Sequence, residues 1–166
     1  MSWKTVFSFA LFATLLTIAL GWLISIRAVP IAQTIHFNDA ERRFMGIWIW
    51  LAITLGVILP GIAWIVWFRH PQIRKILGLY LSALIIQILT EQIFSSLGFP
   101  SLVVAIGTVY TIFRLWQLWR SQQLISQASG NAVNRKGMTV LLWILGLFWC
   151  SNLIMLSTLG WSSVLS

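Results

Sequence analysis

Acidic side chains are scarce in this chain, which has three of them against eleven lysines and arginines. Asp39 and Glu41 stand together in a polar stretch, whereas Glu91 lies alone within a long apolar run, IIQILTEQIFSSLGF. A carboxyl group in hydrocarbon is costly and usually faces a bundle interior or a water-filled cavity. Glu91 is therefore the position at which the sequence points most directly to a function.

Cysteine and histidine are also sparse. Cys150 is the single cysteine, which excludes an intrachain disulfide and a cysteine metal cluster. His36 and His70 both fall outside the apolar segments, so neither is placed as an axial ligand of a buried haem. The spacing of His36, Asp39 and Glu41 matches no strong metal-ligand motif. The chain has no phosphate-binding glycine loop, nucleophile elbow or nucleophile–base pair within its apolar runs, so the sequence favours no enzyme class and no cofactor.

Charge of either sign is low overall. Only 8% of the residues are charged, whereas 59% are hydrophobic and the mean hydropathy is +0.91. A soluble domain carries roughly 25% charged residues, so this composition excludes an ordinary soluble fold. The net charge of +8 does not indicate a nucleic-acid binder, because the basic residues are scattered at the ends of apolar segments. These features predict an all-α integral membrane protein.

Five apolar segments are each long enough to cross ~30 Å of hydrocarbon at ~1.5 Å per residue. The predicted spans cover residues 5–26, 46–68, 76–97, 100–119 and 138–160 of a single transmembrane bundle formed by residues 1–166. Gly98-Phe99-Pro100 separates the third and fourth spans and predicts a tight hairpin, since one merged helix of roughly forty residues would overshoot the bilayer. The first run exceeds the roughly 7–15 apolar residues of a signal peptide, so we interpret it as a retained span.

Basic residues and tryptophans predict the orientation of these spans. Seven of the eleven basic residues lie on one side and three on the other. The positive-inside rule then places the amino terminus in the cytoplasm and the carboxyl terminus outside, in an inner, plasma or thylakoid-type membrane. Ten of the eleven tryptophans lie near span ends, as in an aromatic belt, and Trp149 lies near the midplane. For Trp149, packing in the core is favoured over stacking on a ligand.

Local sequence signals predict where some helices begin or end and where the second helix bends. Asn38 is predicted to cap the second helix with Glu41 at the third helical position, so that the helix begins near Asp39. Pro60 lacks an N–H and predicts a lost backbone hydrogen bond and a bend in the same helix. In the inner loop, Ser129-Gly130-Asn131 is predicted to separate the fourth and fifth helices.

Polar residues at helical spacing mark the inward faces of two spans. The two stripes are Tyr80, Gln87, Glu91 and Ser95 in the third span and Gly107, Tyr110, Thr111, Arg114 and Gln117 in the fourth. Because lipid offers polar groups no partner, we expect these two helices to be central in the bundle.

Arg114 is the obvious counter-ion for Glu91, but helix geometry separates the two by ~12 Å along the membrane normal. Arg114 lies five residues from the end of its predicted span. We therefore expect its side chain to reach the inner face, with an approach to Glu91 through Gln87 or water as the alternative.

A polar layer is predicted at the depth of Glu91, together with Thr17, Thr54 and Asn152 from other spans. It has two interpretations: a structural set of hydrogen bonds worth ~0.6 kcal/mol each, or an outward-facing pocket or proton-accepting site with Glu91 at its base. The candidate ligand-binding or polar-core residues are Glu91, Gln87, Asn152, Thr54, Thr17, Trp149 and Tyr110, with Arg114 as a charge near the inner face.

Two function classes fit these features. Small size and the absence of a chemical motif favour an accessory or assembly subunit of a larger membrane complex, with the lipid bilayer and other membrane subunits or a second copy as partners. The alternative is a binder or carrier of a lipophilic small molecule: a tetrapyrrole, sterol or lipid. Five spans, many tryptophans and a long first loop resemble in layout the tryptophan-rich sensory protein (translocator protein) family, and this resemblance implies tetrapyrrole or sterol binding. AVPIAQTIHFNDAERR and GIWIWLAITL lack the loop and second-helix motifs of that family, so no site residues are carried over.

Overall fold

A computed structural model describes residues 2–31, 38–127 and 132–165, with only the backbone described at 132 and 133. Within these residues the chain is helical and contains no strand. The first four helices are α1 (Trp3–Ser25), α2 (Asp39–Val66), α3 (Pro71–Ser96) and α4 (Leu102–Ser126). The last, α5, runs through Ala132–Met155, Leu156–Gly160 and Trp161–Leu165.

Among the described residues, five helices are long and apolar enough to cross a membrane. The predicted all-α class and the number of apolar helices are therefore confirmed. Each helix extends beyond at least one edge of its predicted span, because a helix can continue into water wherever a cap or good helix formers support it.

The start of α2 has the capping box that the sequence predicts. The backbone N–H of Glu41 donates to the Asn38 side chain at 2.8 Å, and the Glu41 carboxylate accepts from the Asn38 N–H at 2.9 Å. At the other predicted break, α3 and α4 are joined by a short connection in which Gly98 has φ +88°. Glycine adopts this left-handed conformation at no steric cost, so the two helices can turn back on each other within a few residues.

Burial identifies α4 as the central helix. In its most apolar window, 61% of the residues are buried, compared with 44% in α3 and α5, 28% in α1 and 11% in α2. α4 packs against α1, α3 and α5. The polar stripe of α4 thus lies at the middle of the bundle, and α2 is the peripheral helix.

Two helices contain π-helical segments. In α2, Ala52–Ile58 is π-helical, and its last turn is closed by the Leu59 N–H and the Thr54 carbonyl. Two residues later, Pro60 has no N–H to offer the Gly56 carbonyl, which would be its partner in an α-helix. The distortion predicted at Pro60 therefore includes a widened turn that precedes the proline. A second π-helical segment, Leu156–Gly160, lies in α5.

Candidate functional site in the polar core

Arg114 is the largest fully buried side chain among the described residues. Its side chain is enclosed in the bundle and does not extend to the surface, so the expected reach toward the inner face is wrong. Gln87 of α3 accepts a hydrogen bond from Arg114 Nη2, and the indole ring of Trp149 covers the guanidinium with its Cζ 3.9 Å from the ring centroid. A hydrogen-bond acceptor and an aromatic face inside the bundle thus replace the water that the side chain was expected to contact.

Gln87 connects Arg114 to Glu91. Its Nε2 donates to Glu91 Oε1 at 2.6 Å, while its Oε1 accepts from the arginine. Chemistry fixes this orientation, because a guanidinium has only donors and the amide oxygen must therefore face it. Between these described side chains there is no direct ion pair. Of the alternatives drawn from the sequence, the approach through Gln87 is the one that the structure shows.

An aromatic pair continues the network to α2. Trp149 Nε1 donates to the Tyr80 hydroxyl at 2.9 Å, and the Tyr80 hydroxyl donates to the Gly56 carbonyl at 3.0 Å. The Tyr80 ring also lies near the guanidinium of Arg114, at 5.6 Å from its centroid to Cζ. In an α-helix, the Gly56 carbonyl would accept a hydrogen bond from the backbone N–H of residue 60, which proline lacks. The Tyr80 hydroxyl donates to this carbonyl instead. We call the connected side chains Glu91, Gln87, Arg114, Trp149 and Tyr80 the polar core.

Glu91 lies against α4 at a glycine. A Cβ at Gly107 would be 3.8 Å from Glu91 Oε1 and 3.4 Å from Leu156 Cδ1. The carboxyl group is partly buried, and the bare backbone at Gly107 lets it approach the central helix.

The hydrogen bonds found for the predicted partners of Glu91 go to other groups, and only Thr54 is excluded from an inward-facing layer by its exposure. The Thr17 and Thr54 hydroxyls each donate to the carbonyl four residues earlier in their own helix, at 2.7 and 2.9 Å. Thr54 is exposed on the outer side of α2. Asn152 donates to the Thr111 hydroxyl at 3.0 Å and accepts from Trp48 Nε1 at 2.9 Å. It therefore forms a separate polar contact between α2, α4 and α5.

Sequence reasoning missed the roles of Tyr80 and two tryptophans. Tyr80 stood on the predicted stripe, seven residues before Gln87, and that spacing was the available signal. Trp48 and Trp161 were assigned to the interfacial belt. In the structure, Trp48 bonds to Asn152, and Trp161 Nε1 donates to the Thr108 hydroxyl at 3.1 Å.

Several buried polar atoms on α4 have no hydrogen-bond partner among the described residues. They are Nε and Nη1 of Arg114, both amide atoms of Gln117 and the hydroxyl of Tyr110. The spacing of four and three residues places these side chains on one stripe of the helix. Arg114 contributes only donors, so a group that satisfied it would have to bring acceptor oxygens or nitrogens.

The residues described include no cluster of three or more metal-ligating side chains. His36, which stands near Asp39 and Glu41 in the sequence, lies outside the described residues, as does the predicted Ser129-Gly130-Asn131 break.

On comparison, no known protein family, curated protein or solved structure matched this chain.

Proposed function

We propose that this chain is a multi-pass membrane protein that binds a lipophilic small molecule through its polar core. The observation that carries the proposal is Arg114, which is fully buried while Nε and Nη1 have no partner among the described residues. Ionisable residues inside membrane spans are rare and mark pathways for substrates, ions or protons. Each unsatisfied buried donor costs about 1–3 kcal/mol, so apolar side chains would build a purely structural core at lower cost.

The donor set favours a carboxylate on the bound molecule. A guanidinium presents its N–H groups in a planar fork that matches the two oxygens of a carboxylate. Gln87 accepts from Nη2, which has a second N–H, so a carboxylate can pair with Nη2 together with either Nε or Nη1, the two nitrogens that have no partner among the described residues. Among the ligand classes suggested by the sequence, tetrapyrroles commonly carry carboxylates, whereas a sterol offers a single hydroxyl. A lipophilic carboxylate is therefore the ligand class that we propose.

α2 is the proposed route of entry. It is the least buried helix, and Pro60 and the π-helical turn reduce the number of its internal hydrogen bonds. The Tyr80 hydroxyl joins this helix to the polar core at the Gly56 carbonyl. Loss of that bond would remove the hydrogen bond between the middle of α2 and the aromatic pair that covers Arg114, and leave only apolar packing between them.

Binding can be tested on the full chain in mild detergent with protoporphyrin IX, its dimethyl ester and cholesterol as probes. We expect the free acid to raise the thermal unfolding temperature and the dimethyl ester to have little effect. Arg114→Met should weaken binding of the acid by about 30-fold or more, the loss expected when a buried hydrogen-bonded charge partner is removed. Arg120→Gln is the matched control, because Arg120 is an exposed arginine on the same helix, and its side chain donates to Gln123.

Two results would overturn the proposal. One is equal stabilisation by the acid and the ester, because the guanidinium would then recognise nothing in the carboxylate. The other is unchanged affinity in a folded Arg114→Met variant. Folding of each variant is checked by far-ultraviolet circular dichroism before the binding measurement.

An accessory or assembly subunit is the second candidate, and the surface of α2 favours it. Only 11% of the residues in its apolar window are buried, and Ile47, Trp50 and Ile65 are each about 70% exposed. Such a face can pack against another membrane helix as well as against lipid. Stoichiometric co-purification of a partner subunit from the native membrane would support this function, whereas recovery of the chain alone with a bound lipophile would support the first.

The proposed setting is an inner, plasma or thylakoid-type membrane with the amino terminus in the cytoplasm and the carboxyl terminus outside. The distribution of basic residues supports this orientation.

A further inference from the structure

A groove of about 710 Å³ opens between α1, α2 and α3 at the end of the bundle where α1 begins. Aromatic side chains of Trp64 and Phe68 form one wall, and α3 forms the other. Along α3 the lining changes from Arg74 and Lys75 to Gly78 and then to Ile85. The groove is thus basic at its rim, near the start of α3, and apolar along its length.

The length of the groove matches one leaflet of a bilayer. Eleven residues separate Arg74 from Ile85, which corresponds to ~16 Å of helix at ~1.5 Å per residue. The hydrocarbon core is ~30 Å thick, so the groove runs from the headgroup region to about the midplane.

We propose that this groove binds an anionic phospholipid, with its phosphate at Arg74 and Lys75 and an acyl chain beside Gly78 and Ile85. Basic sites between membrane helices recognise anionic headgroups by charge, and apolar walls accommodate the chain. The inference rests on the proposed membrane setting but not on ligand binding at Arg114.

Local contacts hold a charge at the rim of the groove and leave space for an acyl chain within it. The Arg74 guanidinium lies over the Phe68 ring, 4.9 Å from Cζ to the centroid, which restricts the side chain to the rim. A Cβ at Gly78 would be 3.5 Å from Trp64 Nε1. The absence of a side chain at this position therefore leaves space in the groove beside the indole. A large side chain at position 78 would therefore occupy the path of the acyl chain while leaving both charges in place.

The test measures lipid retained by the purified full chain, using native mass spectrometry with equal amounts of phosphatidylglycerol and phosphatidylcholine. We expect preferential retention of phosphatidylglycerol, and Arg74→Gln/Lys75→Gln should reduce it by about 30-fold, from roughly 1 kcal/mol per basic residue. Arg42→Gln/Arg43→Gln removes the same charge from exposed positions on α2 and should leave retention unchanged. Gly78→Phe should reduce retention with both charges intact.

Several outcomes would overturn the proposal. They are unchanged retention in the Arg74/Lys75 variant, an equal loss in the Arg42/Arg43 variant, or full retention in a folded Gly78→Phe variant. Displacement of the lipid by millimolar inorganic phosphate would assign the rim to free anions and overturn the lipid site. Arg114→Met should retain phosphatidylglycerol normally, which separates failure here from failure of the proposed function.

Discussion

The hydrogen bond between the Tyr80 hydroxyl and the Gly56 carbonyl should depend on Pro60. Pro60 cannot donate to that carbonyl, and the Tyr80 hydroxyl does so at 3.0 Å instead. Pro60→Ala restores a backbone N–H that can serve the carbonyl. We therefore predict that Tyr80→Phe is more harmful in the native chain than in a chain that carries Pro60→Ala.

The expected size follows from the two bonds that Tyr80 makes. The phenylalanine loses the bond to the Gly56 carbonyl and the bond accepted from Trp149 Nε1. At ~0.6 kcal/mol per buried bond in a membrane bundle, the loss is at least about 1.2 kcal/mol, and more where a donor is left unsatisfied. With alanine at position 60 only the Trp149 bond is lost, so the cost falls to about 0.6 kcal/mol.

The difference is a coupling free energy of about 0.6 kcal/mol, with an upper bound near 1.7. It can be measured with the native chain, both single variants and the double variant in a double-mutant cycle. Unfolding by SDS in mixed micelles, followed by tryptophan fluorescence and circular dichroism, gives the free energy of unfolding. The packing change caused by losing the proline ring cancels in the cycle, because it is present in both the Pro60→Ala variant and the double variant.

Tyr110→Phe is the matched control for this cycle. Tyr110 is also a buried tyrosine, but its hydroxyl has no partner among the described residues. Its effect should be additive with Pro60→Ala to within about 0.3–0.5 kcal/mol. Additive effects of Tyr80→Phe and Pro60→Ala would refute the reasoning, because the hydroxyl would then not be replacing the missing backbone donor.

Three further predictions use simpler measurements. Gly56→Ala should lower the free energy of unfolding by about 1–3 kcal/mol, since its Cβ would lie 3.1 Å from an indole carbon, whereas Gly46→Ala has open space and should not. Gln87→Leu should cost about 1.5–3 kcal/mol by removing the hydrogen bond to a buried guanidinium, and Gln92→Leu, at an exposed site on the same helix, should be tolerated. In a cysteine-free background, a cysteine at Gln127 should resist a membrane-impermeant maleimide in intact cells; labelling there would reverse the proposed orientation.

The helices and the capping box were predictable because local signals determine them. Apolar length alone identifies a helix that can cross a membrane. The pair Asn38 and Glu41 satisfies two otherwise unpaired backbone donors, and no distant contact is needed for that arrangement. These predictions agree with the structure because they depend on interactions between residues that are close in the sequence.

The orientation of Thr54 was not predictable by counting residues from the membrane edge. That count assumes a regular α-helix, in which every residue advances the chain by the same rise and rotation. α2 is π-helical through Ala52–Ile58, and a π-helical turn contains more residues than an α-helical one. Thr54 lies in this segment, and its hydroxyl faces outward and bonds within its own helix. Its depth in the sequence therefore carried no information about its partners.

Gln87 forms hydrogen bonds with both Glu91 and Arg114, but these bonds satisfy only part of the hydrogen-bonding capacity of Arg114. Glu91 and Arg114 form no direct ion pair, and the amide of Gln87, one turn along α3 from Glu91, joins them by donating to Glu91 and accepting from Arg114. This relay requires glutamine, because a glutamate at position 87 would present no donor to Glu91 unless it were protonated. The relay satisfies one nitrogen of Arg114, and the aromatic face of Trp149 compensates part of its charge. Nε and Nη1 have no hydrogen-bond partner among the described residues, and for that reason we propose that Arg114, more than Glu91, recognises the ligand.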